Sequence, residues 1–346
     1  MDPLATPDRP VAGRDYPADQ AEFREFFPDE AACLRYLERL SWPHGFLCPA
    51  CGQAGQPWRG SRQRLGCRSC GHQTTVTAGT LFQGTRTPLR LWFAAAWLVA
   101  TAEQGVSARQ LARELDLGSY ETAWTMLHRF RRAMVRSGRP KLVGRVELGT
   151  MNTPGRPDPA GGPAPPLAAI ALEDRGDTPG RVRMQRLPSS GTGGLAAFAG
   201  RVVEPGTLIR AVRLPVWWPL AELGFMTERA PTLTHLPAVE RALADWLRGT
   251  HQGATSPAQL DWYLDEFTFR FNRRTSTHRG MLFYRLLEES VVTPPVPYHR
   301  VVGAADPAAG PSADPADPAA EPGARPAARP TARPAAGPGP RVLPSR

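Results

Sequence analysis

Two Cys-x-x-Cys pairs, Cys48-Pro-Ala-Cys51-Gly52 and Cys67-Arg-Ser-Cys70-Gly71-His72, constrain this chain more than anything else in it. Two thiolates with two residues between them can reach one ion, and the second pair, fifteen residues on, completes four soft ligands. The glycine after each pair suits the tight turn such a knuckle needs. Two disulfides would use the same four residues but would strand Cys33. The opening Met1-Asp2-Pro3 has no basic-then-apolar leader, so the expectation is a cytoplasmic chain with one structural zinc. Cys33 falls with Leu34, Leu37 and Leu40 on one helical face and reads as a small core residue.

Across 346 residues there is room for several domains. No run of eighteen apolar residues occurs, so no membrane partner is expected, and Leu89 to Ala102 reads as a buried helix. Between Glu30 and Lys141 lie sixteen Lys and Arg against six Asp and Glu, which accounts for the whole net charge of +10. Charge concentrated in this way points to a polyanion, most simply double-stranded DNA.

Asp29 or Pro28 can cap a first helix, and residues 42–82 read as short strands around the cysteines, including a β-branched strand from Gln73 to Thr80. Thr87-Pro88 starts the apolar helix that Gly105 stops. Ser107 caps a short helix, Asp116 to Ser119 turns, and Ser119 caps a longer one with Ala123, Met126, Leu127, Phe130 and Met134 inward. This is helix-turn-helix geometry, whose second helix would enter the major groove with Tyr120, Glu121 and Trp124 or Thr125. Arg109, Arg113, Arg129, Arg131, Arg132 and Arg136 are the expected phosphate contacts.

After Pro140 strands are expected at 142–148, 167–172, 181–187 and 207–212, with helices at 195–202, 239–248 and 257–272. Asp265 and Glu266 read as the polar face of the last of these. The Ala/Pro/Arg-rich sequence from residue 303 cannot form a core.

The ribbon cysteines, Gly79-Thr-Leu-Phe82, Trp246-Leu-Arg-Gly-Thr-His-Gln-Gly253 and the string from Leu260 to Arg-Phe-Asn-Arg-Arg274 resemble insertion-sequence transposases of the branch with an Asp-Asp-Asn-Lys catalytic set. The resemblance implies a multidomain α+β fold of zinc ribbon, helix-turn-helix region and ribonuclease-H-like mixed α/β domain. It divides the chain into a disordered 1–22, a leading helix and ribbon at 23–84, the helix-turn-helix region at 85–140, the nuclease-like domain at 141–295 and a disordered tail at 296–346. It also implies DNA strand transfer by a homo-oligomer using Mg²⁺. Yet Gly149 stands where the first metal-binding aspartate belongs, Val212 at the second, and Ala242 and Ala244 at the asparagine and lysine. Glycine, valine and alanine cannot ligate a hard cation, so intact Mg²⁺ affinity is not expected. Three functions follow as expectations: an inactive DNA-binding transposase homologue, an active enzyme with rewired ligands drawn from Glu147, Glu173, Glu240 or Asp245, or a regulator that kept the scaffold.

Overall fold

Two aspartates start the first two helices. In the computed structural model, which describes residues 10–135, 138–154, 166–187, 192–212, 217–251, 259–276 and 278–295, the Asp19 carboxylate accepts from the Ala21 and Glu22 amides and opens α1 (Gln20–Phe26). Asp29 does the same for α2 (Glu30–Ser41) through the Ala32 amide. The stretch expected to be disordered up to residue 22 is thus ordered in its second half. Tyr16 is buried, and the Tyr36 hydroxyl donates to the Asp15 carbonyl at 2.8 Å. The expected tail from 296 lies outside the described residues.

Helix α3 (Leu89–Thr101) begins where Thr87-Pro88 predicts, but Thr87 does not cap it. Thr87 is tied into a turn with Thr85, and Glu30 of α2 reaches over to accept from the Leu89 and Arg90 amides at 2.8 and 3.1 Å. A carboxylate at a helix N-terminus satisfies orphan donors and complements the dipole. Helices α4 (Ala108–Glu114) and α5 (Tyr120–Ala133) follow, capped by Ser107 and Ser119, with Asp116 left-handed at φ 49° in the turn between them.

The segment 58–74 carries less strand than its β-branched residues suggest. Pairs Trp58–Arg59 (β1), Leu65–Gly66 (β2) and Gln73–Thr74 (β3) form a three-stranded ribbon, and the chain then turns so that Val76 enters the helical core. The Trp58 ring lies over Gly66, where any Cβ would sit 1.9 Å from it. Phe46, Cys48, Leu65 and Cys67 are the ribbon's whole buried cluster, too little apolar surface to hold it without a staple.

A five-stranded sheet follows, in order β6-β5-β4-β7-β8, from β4 (Arg145–Asn152), β5 (Leu167–Asp174), β6 (Pro179–Leu187), β7 (Leu208–Ala211) and β8 (Met226–Arg229). The first three strands form an antiparallel meander; β4 and β7, then β7 and β8, pair in parallel. This is the strand order of the ribonuclease-H-like fold. Helices α6 (Thr192–Val202) and α7 (Trp217–Glu222) lie between β6 and β8 in sequence; α6 joins the apolar cluster on one face of the sheet. Helices α8 (Leu236–His251) and α9 (Leu260–Phe271) bury Leu236, Leu243, Leu247, Leu264 and Phe267 on the other. The outer edge of β6 is covered by α9 and the residues that follow it. Asn272 both accepts from the Val182 amide at 2.7 Å and donates to its carbonyl at 3.1 Å, while Asp261 accepts from the Arg186 amide.

The last helix, α10 (Arg279–Val292), corrects the expected boundary of the nuclease-like domain. It belongs to the N-terminal helices instead, because its apolar stripe is complementary to theirs. Phe283 is fully buried with its ring 5.6–6.3 Å from those of Phe23, Phe27, Tyr36, Phe93 and Trp97. Phe283→Ala is expected to cost about 3–5 kcal/mol in urea unfolding and to weaken α1–α3 along with α10; hydrogen exchange should show all of them opening together.

Candidate metal centre and nucleic-acid interface

Each Cys-x-x-Cys pair folds into the same knuckle. The Cys48 amide donates to Gln53 O and its carbonyl accepts from Gly52; the Cys67 amide donates to His72 O and its carbonyl accepts from Gly71. Gly52 and Gly71 sit at φ 69° and 74°, a conformation that favours glycine. The four sulfurs lie within 4.8 Å of one another, with Cys48 to Cys70 and Cys51 to Cys67 at 3.7 Å. Zn–S bonds of about 2.3 Å put the edge of a sulfur tetrahedron at about 3.8 Å, so the thiolates are spaced for that ion and are too far apart for disulfides. The Cys70 and Ser69 amides aim at the Cys67 sulfur and pull its thiol down to about 6. Cys33 is fully buried among core residues, and burial pushes its thiol up to about 12, as a packed hydrophobe requires.

The helix-turn-helix sorts its basic residues into two groups. Arg109 and Arg113 are exposed on α4, and Tyr120 stands out at the start of α5. Thr125 lines an open recess of about 280 Å³ between α5 and the 84–87 connector, together with Arg86, Trp92, Thr122 and Arg129. Arg129, expected at phosphates, turns inward: Nη1 donates to Leu81 O at 3.1 Å and the guanidinium lies 5.7 Å from the Trp92 ring. Arg132 is half-buried beside it, and burial lowers both guanidinium pKa values.

Arg131 is the clear correction. It does not face phosphate; its side chain is 2% exposed and Nε donates to Glu266 Oε2 at 2.8 Å, with the guanidinium 4.5 Å over Tyr263. Glu266, expected on a polar helix face, is 1% exposed for the same reason. Arg136 lies outside the described residues.

In the sheet, parallel pairing places Arg145, Val146 and Glu147 opposite Leu208, Ile209 and Arg210. The pairing ends there; Gly149 lies two residues further along β4, and Val212 is an exposed residue just past the end of β7. Gly149 faces α8: a Cβ there would lie 2.5 Å from Leu236 Cδ2 and 3.8 Å from Glu240 Oε1. Ala242 is on the exposed side of α8 and Ala244 is half-buried. Glu147, on the same strand face as Gly149, is fully buried and accepts from the Thr234, His235 and Leu236 amides at 2.5, 3.0 and 2.7 Å. It caps the N-terminus of α8. Of the other acids weighed as substitutes, Glu173 is held by Arg175 and Arg181, while Asp245 is exposed beside Arg248. Among the described residues, the four cysteines form the only group of three or more ligating side chains that could hold one ion.

A zinc-ribbon knuckle, a helix-turn-helix and a ribonuclease-H-ordered sheet occur together on this chain. A transposase zinc-ribbon domain model matches residues 28–73, and an ISXO2-like transposase domain model matches residues 158–272. Over those residues the chain is similar to transposases of the IS1595 type. It is 33% identical over 125 residues to an uncharacterized protein in transposable element ISH50 from Halobacterium salinarum, a match spanning 35% of this chain and 41% of that relative. No helix among the described residues is long and apolar enough to cross a membrane.

Of the acids weighed in the sequence, Glu240 is the one whose carboxylate lies toward Gly149. The capping role of Glu147 was missed, because it depends on where a loop arrives and left no local signal. The purified protein is expected to carry one zinc per chain by elemental analysis. Cys48→Ser should lose it together with the amide protection of β1–β3, and a variant that kept a full equivalent would rule out the four-thiolate site.

Proposed function

We propose that this protein binds double-stranded DNA as a transposase relative whose nuclease scaffold does not cut. What carries the reading is the meeting point of β4, β7 and α8. Cleavage by two metal ions needs carboxylates that hold them about 3.5–4 Å apart. Here a bare glycine stands on β4 and a valine just past the end of β7, and Leu236 occupies the space in front of the glycine. The residues present do not fit Mg²⁺. Glu147 is committed to three backbone amides, which leaves Glu240 as the carboxylate against Gly149. One carboxylate cannot by itself supply the ligands that two ions need, so the observations favour the inactive reading over the rewired enzyme.

Binding would rest on a structural zinc held by Cys48, Cys51, Cys67 and Cys70, and on the helix-turn-helix with Arg109, Arg113, Tyr120, Thr125 and Arg132 toward the duplex. Affinity should fall steeply with salt, because phosphate contacts release counterions.

Supercoiled plasmid incubated with Mg²⁺ or Mn²⁺ is expected to stay unnicked. Metal-dependent nicking abolished by Glu240→Gln would overturn the inactive reading in favour of a rewired site. Glu147→Ala is expected to cost roughly 3 kcal/mol or more, since it leaves three helix amides without their acceptor. Gly149→Asp is likewise expected to lower the melting temperature rather than restore cleavage, because its Cβ meets Leu236; a stable, metal-binding Gly149→Asp protein would show the site to be open.

A further inference from the structure

We infer that a second contact surface for the DNA backbone wraps the outer edge of the ribonuclease-H-like sheet, where Asn272 holds Arg273 and Arg274 beside Arg181 and Arg183 of β6. The inference rests on the reading that the chain binds DNA, but it uses none of the helix-turn-helix residues.

The two-point pairing of Asn272 with Val182 fixes the register between the end of α9 and β6. The arginines that follow Asn272 are laid flat on aromatic rings, Arg273 at 4.0 Å over Phe269 and Arg274 at 4.0 Å over Phe271. Arg274 also donates to the Pro179 and Gly180 carbonyls at the start of β6. Arg183 is buried and donates to the Val182 and Pro140 carbonyls at 3.0 Å each. Arg139 adjoins it through the linker that Arg183 binds.

Carboxylates are scarce around this cluster. Glu173 faces it but is forked by Arg181 at 2.6–3.2 Å and also held by Arg175. Asp265 faces Arg139, and Asp261 is engaged with Arg186. Among the described residues no ion pair reaches Arg183 or Arg274, whose hydrogen bonds go to carbonyl oxygens. The crowding is visible in Arg183, which burial first, and then Arg139 and Arg181, push down to about 10. Anions set among these guanidiniums would relieve that crowding. Guanidinium planes already stacked on rings lose little freedom on meeting phosphate, and their forked donors match its oxygens. A duplex offers a row of such phosphates. An acidic protein segment offers carboxylates, and the test separates the two.

The full chain would be titrated into a fluorescent random-sequence duplex of about 30 base pairs at several KCl concentrations, and log Kd plotted against log salt. Each lost phosphate contact reduces the slope by about 0.9, so Arg273→Gln/Arg274→Gln is expected to lower it by about 1.8 and weaken binding roughly tenfold at low salt. Arg273→Lys/Arg274→Lys, which keeps the charge, should retain most of the slope. If the glutamine pair does not fold by circular dichroism, Arg139→Gln replaces it, with an expected reduction of about 0.9. An unchanged slope in a folded variant overturns the surface, whatever the helix-turn-helix does. So does loss of binding to a polyglutamate peptide while duplex binding is kept. Arg109→Gln/Arg113→Gln is run in parallel. If the edge variant loses slope and this one does not, the edge surface stands and the helix-turn-helix contacts fall; wild-type protein that binds no duplex overturns both.

Discussion

A buried ion triad ties the helix-turn-helix to the helix that packs on the sheet. Glu266 on α9 receives Arg131 from α5 on one oxygen and Arg270 on the other, at 2.8 and 3.1 Å. Arg270 continues to the Val99 and Ala102 carbonyls at the end of α3. Ions this deep are costly to desolvate, and their mutual attraction offsets that cost only when the geometry is right. A carboxylate with an arginine on each side therefore tolerates one arrangement of α3, α5 and α9. Tyr263 lies under the Arg131 guanidinium, and His128, 4.8 Å from Trp262, fills the adjoining gap with its ring. Helix α5 is in this way fixed against α9 and cannot swivel independently of it.

That scaffold keeps its shape without metal-binding acids because its helices are anchored by other groups. Glu147 holds the start of α8, Glu30 that of α3, and Asn272 locks the end of α9 onto β6. None of these contacts involves Gly149, Val212, Ala242 or Ala244. At Gly149 the bare backbone lets Leu236 settle against the strand. The fold is thus held by residues other than those four positions.

Much of this was legible in the sequence where the signal was local. The cysteine spacing, the Ser107 and Ser119 caps, the continuous apolar run of β5 and the alternation of β6 each depend on residues a few positions apart, and the structure follows them. Long-range contacts were not legible. Arg131 looks like any other member of a basic helix until α9 brings Glu266 against it from 135 residues away. The apolar stripe of α10 specifies burial but not against what. The Thr75–Thr80 run reads as strand by its side chains, yet it turns because Val76 is needed in the helical core. Among the candidate site residues, zinc ligands share a short segment and could be counted; DNA contacts depend on which face a helix leaves open, and that was decided by α3 and α9.

The late position of α10 has a consequence for how this molecule comes into being. Phe283 sits at the middle of an aromatic cluster whose other members lie between residues 23 and 97. A ribosome translating this message therefore releases the first helices long before their central wedge exists. Until residue 292 has cleared the exit tunnel, the amino-terminal bundle has an open seam, and it closes only when the sheet between its two halves has already been made.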